Sequence, residues 1–171
     1  FIMPYQAGVS NVVASLGTAL TVEQIRLLRR YTRNIIMLYD TDKAGESATL
    51  RSLDLLIEEG MNVKVATLTQ GDDPDSFVRK FGAAALRERI EKAQSLFDYK
   101  LAALKQHFDS RTVEGRAQIS GEMLTTINKF ENAIITSEYM KQLAQALAIS
   151  QEALIAQLQK IGLEPGGDLR D

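Results

Sequence analysis

The pattern of apolar and polar positions changes character once along the chain. Up to about Gly82 short apolar runs alternate with amphipathic stretches. Residues 11–15 (Asn-Val-Val-Ala-Ser) read as a short buried strand ending in the turn Leu16-Gly17-Thr18-Ala19. Thr21 followed by Gln24 has the spacing of a capping box, and Val22, Ile25 and Leu28 then share one helical face. Residues 34–39 form a second apolar run, and a helix is expected over 44–59. Its stripe is Leu50, Leu53, Leu56 and Ile57, and Gly60 is its C-terminal stop. Residues 63–67 close the unit as a third strand. Strand–helix–strand–helix–strand with short links predicts a mostly parallel sheet with right-handed crossovers.

From Ala83 onward only helical spacing remains. Phe97, Leu101, Leu104 and Phe108 form one stripe; Ile119, Met123, Ile127 and Phe130 form the next, with Thr112 as N-cap. A third pattern spans 137–147, and a fourth starts at the N-cap Ser150 and runs through Leu154, Leu158 and Ile161. Short polar breaks between them predict a small helical bundle. The expected organisation is therefore α/β followed by all-α: residues 1–82, a bundle over 83–163, and a disordered tail over 164–171 after Pro165-Gly166-Gly167.

Composition narrows the function classes. The 171 residues carry 20 basic and 22 acidic side chains, so the whole chain lacks the basic footprint of a general nucleic-acid binder. With no cysteine, disulfides and thiolate-bound zinc are excluded, and a cytoplasmic setting is expected. No apolar run is long enough to span a bilayer, so no membrane partner is expected. Beginning at Phe1, the chain reads as a segment of something longer.

The candidate chemistry lies at the strand ends. Asp40-Thr41-Asp42 directly follows the run at 34–39, and Asp72-Asp73-Pro74-Asp75 follows the run at 63–67. In a parallel sheet both clusters emerge at the carboxyl edge, where ligands of such sheets bind. Aspartates at i and i+2 are hard oxygen donors that suit Mg²⁺ or Mn²⁺, the arrangement used for in-line phosphoryl or nucleotidyl transfer. The plainer alternative is that these are turn and cap aspartates, with Asp75 capping a helix that begins at Ser76. Lys43 can bind a phosphate or offset the carboxylates, and Gly17-Thr18 can offer backbone N–H groups to one. Arg26, Arg29, Arg30 and Arg33 recur at helical spacing, either as a track for a phosphate backbone or as a solvated face. His107 has no ligand partner nearby in sequence, and the tyrosines are scattered.

The segments 11–21, 39–45 (Tyr-Asp-Thr-Asp-Lys-Ala-Gly) and 71–77 (Gly-Asp-Asp-Pro-Asp-Ser-Phe), in this order, resemble bacterial DNA primase. The likeness is to the later part of its Toprim domain followed by the helical subdomain of its RNA polymerase core. It is strong up to about Phe81 and looser through the helices.

The resemblance implies synthesis of short RNA primers on a single-stranded DNA template from ribonucleoside triphosphates, through an RNA–DNA hybrid. It implies that Asp40, Asp42, Asp73 and Asp75 bind Mg²⁺ or Mn²⁺ and that Asp40, Asp42 and Lys43 act in catalysis; from the residues themselves, Gly17, Thr18, Lys43, Arg29 and Arg30 are expected to meet nucleotide or nucleic acid. Zinc is expected only in the N-terminal domain of the parent protein, and the replicative helicase is expected to bind through a C-terminal domain outside this chain. The family's Toprim glutamate falls ahead of Phe1, so the segment alone is expected to fold without making primers, and an open sheet edge would allow self-association. Two other readings stay open. One is a metal-dependent phosphatase with Asp40 as nucleophile, Asp42 as acid/base and Thr67 or Thr69 at a later strand end; the other is a non-enzymatic docking module.

Overall fold

A computed structural model describes residues 1–15, 20–39, 46–69 and 71–163, with the backbone alone for residues 39, 46–51 and 163. The expected tail over 164–171 lies outside the described residues. The chain divides into two compact units, Phe1–Tyr99 and the residues from Lys100 onward.

The first unit is α/β. Its elements are α1 (Ile2–Gln6), α2 (Val22–Arg29), β1 (Asn34–Tyr39), α3 (Glu46–Glu58), β2 (Asn62–Thr67), α4 (Pro74–Glu91) and β3 (Gln94–Ser95), with α5 (Leu96–His107) following directly. β1 and β2 pair in parallel, with Asn34 opposite Asn62 and Tyr39 opposite Thr67, and α3 is the crossover between them. β3 pairs antiparallel with the other side of β2, giving the order β1-β2-β3.

Successive strand residues point to opposite faces, yet Val65 and Ala66 are both buried, so helices cover β2 on both sides. α3 turns Leu53, Leu56 and Ile57 inward, as its spacing predicts. Gly60, at φ +70°, ends that helix as the bond from Met61 N–H to the Leu56 carbonyl closes it. Phe77, Val78 and Leu86 of α4 pack with Leu68, and Met3, Leu38 and Ile90 close over them. The expected capping box on α2 is present in both directions, Gln24 N–H to Thr21 Oγ1 and Thr21 N–H to Gln24 Oε1.

Three expectations for this unit change. Residues 11–15 are not a strand: Val13 is 67% exposed and none of these residues joins the sheet. A strand exists by its ladder, and two valines without a partner strand do not make one. The region after Ala83 is not helix alone, because β3 intervenes; two residues are too few to show a period. The unit also runs on to Tyr99 rather than ending near Gly82, since Leu86 on the far side of that glycine belongs to the same core as Phe77.

The second unit is helical, with α6 (Val113–Ile127), α7 (Ala133–Leu147) and α8 (Gln151–Leu163) packed on one another. Ile119, Met123, Leu124, Ile127 and Leu143 are fully buried. The expected caps are both present: Thr112 Oγ1 accepts from Gly115 N–H at 3.0 Å, and Ser150 Oγ accepts from Ala153 N–H at 3.2 Å. No described helix is long and apolar enough to cross a membrane.

Candidate functional site

β1 and β2 end side by side, Tyr39 opposite Thr67, so the chain leaves the sheet twice at one edge. Asp40, the next residue after Tyr39, lies outside the described residues together with Asp42, Lys43, Gly17 and Thr18. The second acidic cluster is described. After Leu68 a turn is closed by the bond from Asp72 N–H to the Thr69 carbonyl, with Gly71 at φ +82°, and α4 starts immediately.

Each carboxylate of this cluster has a different job. Asp73 is the N-cap of α4: its Oδ1 accepts from Ser76 N–H at 2.7 Å, and Ser76 Oγ accepts from Asp73 N–H at 3.0 Å. Pro74 occupies the first helical position, where a missing N–H costs nothing. The Ser76 backbone N–H, then its hydroxyl, hold the exposed Asp73 carboxyl below the usual carboxylate range, and the charge of Lys80 acts in the same direction. Asp75, in the first turn, accepts from Arg79 Nε at 2.7 Å and raises the Arg79 pKa through that bond. The cap expected at Asp75 therefore belongs to Asp73.

Asp72 is the buried member, 3% exposed. Its Oδ1 accepts from Ser76 Oγ at 3.2 Å and from the ammonium of Lys80. Sequence reading did not single out Ser76 or Lys80. The first was legible in principle, because Asp73 and Ser76 have capping-box spacing; the second depends on a lysine reaching back along α4, which no short motif records.

Arg29 and Arg30 do not join this edge. They sit at the C-terminal end of α2, which leads into the start of β1, so the strand's length of roughly 20 Å separates them from the acidic end. The arginines at 26, 29, 30 and 33 do not continue along one helical face. Arg26 is engaged with Glu59 at 3.0 Å, and the helix ends before Arg33.

Hard oxygen donors on short stems suit Mg²⁺ or Mn²⁺, and Asp73 and Asp75 offer two exposed ones on one helical turn. Among the described residues, no group of three or more His, Cys, Asp or Glu side chains is placed to hold a metal. A complete donor set there would need the carboxylates that follow β1.

The Toprim-like family model matches residues 2–78, and the model of the DnaB-helicase binding domain of primase matches residues 97–152. The DNA primase of Clostridium acetobutylicum is 37% identical over 153 residues, covering 88% of this chain and 25% of that protein. The DNA primase of Escherichia coli K12 is 33% identical over 164 residues, covering 94% of this chain and 28% of that protein. Among solved structures, a DNA primase domain from Pseudomonas aeruginosa superposes with a TM-score of 0.80 at 32% identity, covering 93% of this chain and 50% of that one. The DnaG primase catalytic domain bound to ssDNA gives 0.79 at 32% identity, covering 89% and 49%.

Fold and matches together define the class, a Toprim-like α/β unit followed by a helical unit. The chain belongs to the bacterial DNA primase family. It spans about a quarter of the length of the curated relatives it matches. The helicase-binding model falls inside the chain, over α5, α6, α7 and the start of α8.

Proposed function

We propose that the chain supplies the cation-holding edge of a primase catalytic core that joins ribonucleotides into short RNA primers on single-stranded DNA. The observation that carries this reading is the side-by-side ending of β1 and β2, Tyr39 opposite Thr67, immediately before two acidic clusters. Asp40 and Asp42 after β1, with Asp73 and Asp75 on the first turn of α4, are the residues assigned to hold Mg²⁺ or Mn²⁺. When bound, such cations neutralise phosphate charge and lower the pKa of an attacking hydroxyl. Lys43 is assigned to a phosphate oxygen, and the Gly17-Thr18 turn to backbone contact with the triphosphate.

The described carboxylates are compatible with this role. Asp73 and Asp75 are exposed, Asp73 stays ionised far below neutral pH, and the Asp75–Arg79 pair is an exposed one that contributes little and can open. The helical unit is assigned to contact with the replicative helicase; the family model over 97–152 supports this.

The test is primer synthesis by a primase carrying this segment with Asp73→Asn and Asp75→Asn together. A drop of about 100-fold or more in rate, with template binding retained, is expected for loss of cation ligands. Synthesis within about twofold of the parent at saturating Mg²⁺ would remove this pair from the site.

A further inference from the structure

The buried ion pair beside the acidic turn has a role that neither the fold nor the metal reading assigns. The side chain of Asp72 is 4% exposed while that of Lys80 is 59% exposed, so the carboxylate is fixed and the cation comes to it from the surface. A buried carboxylate is costly without paired charge and hydrogen bonds, and Lys80 with Ser76 Oγ supplies them. Ser76 joins the two halves of the turn. Its hydroxyl lies 3.2 Å from both Asp72 Oδ1 and the Asp73 carbonyl oxygen, which share its one proton, and it accepts from Asp73 N–H, while its own N–H donates to Asp73 Oδ1.

Without Asp72, Lys80 has a nearby exposed alternative. Asp73 is adjacent in sequence, already feels the Lys80 charge, and has no basic side chain of its own as Asp75 has in Arg79. A lysine ammonium is a compact charge on a flexible stem, so it can swing between neighbouring acceptors. Seated on Asp73, it would oppose a divalent cation at the same oxygen atoms.

We infer that Asp72 is a positioning residue that sequesters Lys80, leaving Asp73 and Asp75 open to a divalent cation. The inference rests on the metal reading above. It concerns how this chain keeps its own lysine away from the acidic turn.

The experiment is Mn²⁺ titration of the chain, read by the electron paramagnetic resonance signal of free Mn²⁺, at low salt and neutral pH. Four proteins are compared: the parent chain, Asp72→Asn, Lys80→Met and the double substitution. Asp72→Asn is expected to weaken Mn²⁺ binding about three- to tenfold while Lys80 is present, and by less than about twofold in the Lys80→Met background. Equal weakening in both backgrounds would mean that Asp72 acts by its own charge or by holding the turn, and would overturn the inference. So would an unchanged affinity in Asp72→Asn. If Asp72→Asn does not fold, Asp72→Ser carries the same comparisons. Absence of Mn²⁺ binding by the parent chain would remove the metal reading and this inference together. Binding that depends on Asp40 and Asp42 but shows no Lys80 dependence would remove this inference alone.

Discussion

Asp73 serves two chemical purposes, and substitutions separate them. As N-cap it satisfies the Ser76 N–H; as a carboxylate it offers negative charge beyond β2. Asn keeps the first purpose and loses the second, whereas Ala loses both. Asp73→Ala is expected to destabilise the chain by about 1 kcal/mol, seen as a lower denaturation midpoint, and Asp73→Asn by a few tenths at most. Both should weaken Mn²⁺ binding to a similar degree. If Asn preserved Mn²⁺ affinity, Asp73 would be a cap and nothing more.

The same residue fixes the sign of an acid effect. Its folded-state pKa is depressed, so its contribution to stability is present above the ordinary aspartate pKa of 3.8 and is lost as pH falls through the lower folded value. Glu23, Glu88 and Asp109 are depressed in the same direction. Chemical denaturation should therefore show stability falling below about pH 4, with a shallower fall in Asp73→Asn.

At the scale of elements, local chemistry that names its partner by spacing was legible in the sequence. Thr21 with Gln24, Thr112, Ser150 and Gly60 begin or end helices where their residue types require it. β1 and β2 follow from apolar runs, and their parallel pairing follows from the helix between them. What was not legible depends on distant partners. The valines at 12 and 13 look like a strand but have no ladder, while Gln94 and Ser95 look like nothing in particular and complete the sheet because β2 has a free side there. The Asp72–Lys80 pair was hidden for the same reason: the sequence shows a carboxylate, but only the folded turn shows which one is buried.

Two glycines give element-level tests. A Cβ at Gly115 would lie 2.0 Å from the Asp109 carbonyl oxygen and 2.9 Å from Thr112 Oγ1, so Gly115→Ala must break the N-terminal cap of α6. A loss of about 1–3 kcal/mol is expected, read by thermal denaturation. Gly82 sits at φ +82° and ψ 170° inside α4, a conformation that other residues adopt only under strain, although a Cβ there meets no neighbour. Gly82→Ala should cost about 1–3 kcal/mol from backbone strain alone. A neutral result at Gly115 would contradict the close approach assigned to that turn.

Across the whole molecule, two units carry two sets of properties. In the α/β unit, the outer side of β1 has no partner strand among the described residues, and Ile36 is 41% exposed. In the helical unit, α7 exposes Ile134 by 80% and Ile135 by 37%, within the residues matched by the helicase-binding model. These two side chains are where the proposed helicase contact is most simply tested. Ile134→Ser with Ile135→Ser should weaken binding of the chain to a replicative helicase, measured by fluorescence anisotropy, without lowering thermal stability. Unchanged binding would move the helicase contact elsewhere.

The central claim is that the acidic residues following β1 and β2 form one divalent-cation site. Its most direct test is Mn²⁺ binding by the parent chain against Asp40→Asn/Asp42→Asn, with Asp73→Asn/Asp75→Asn as the second comparison. Each double substitution is expected to weaken binding by about tenfold or more, since each removes two of four carboxylate donors. Mn²⁺ affinity unchanged by either would contradict the claim.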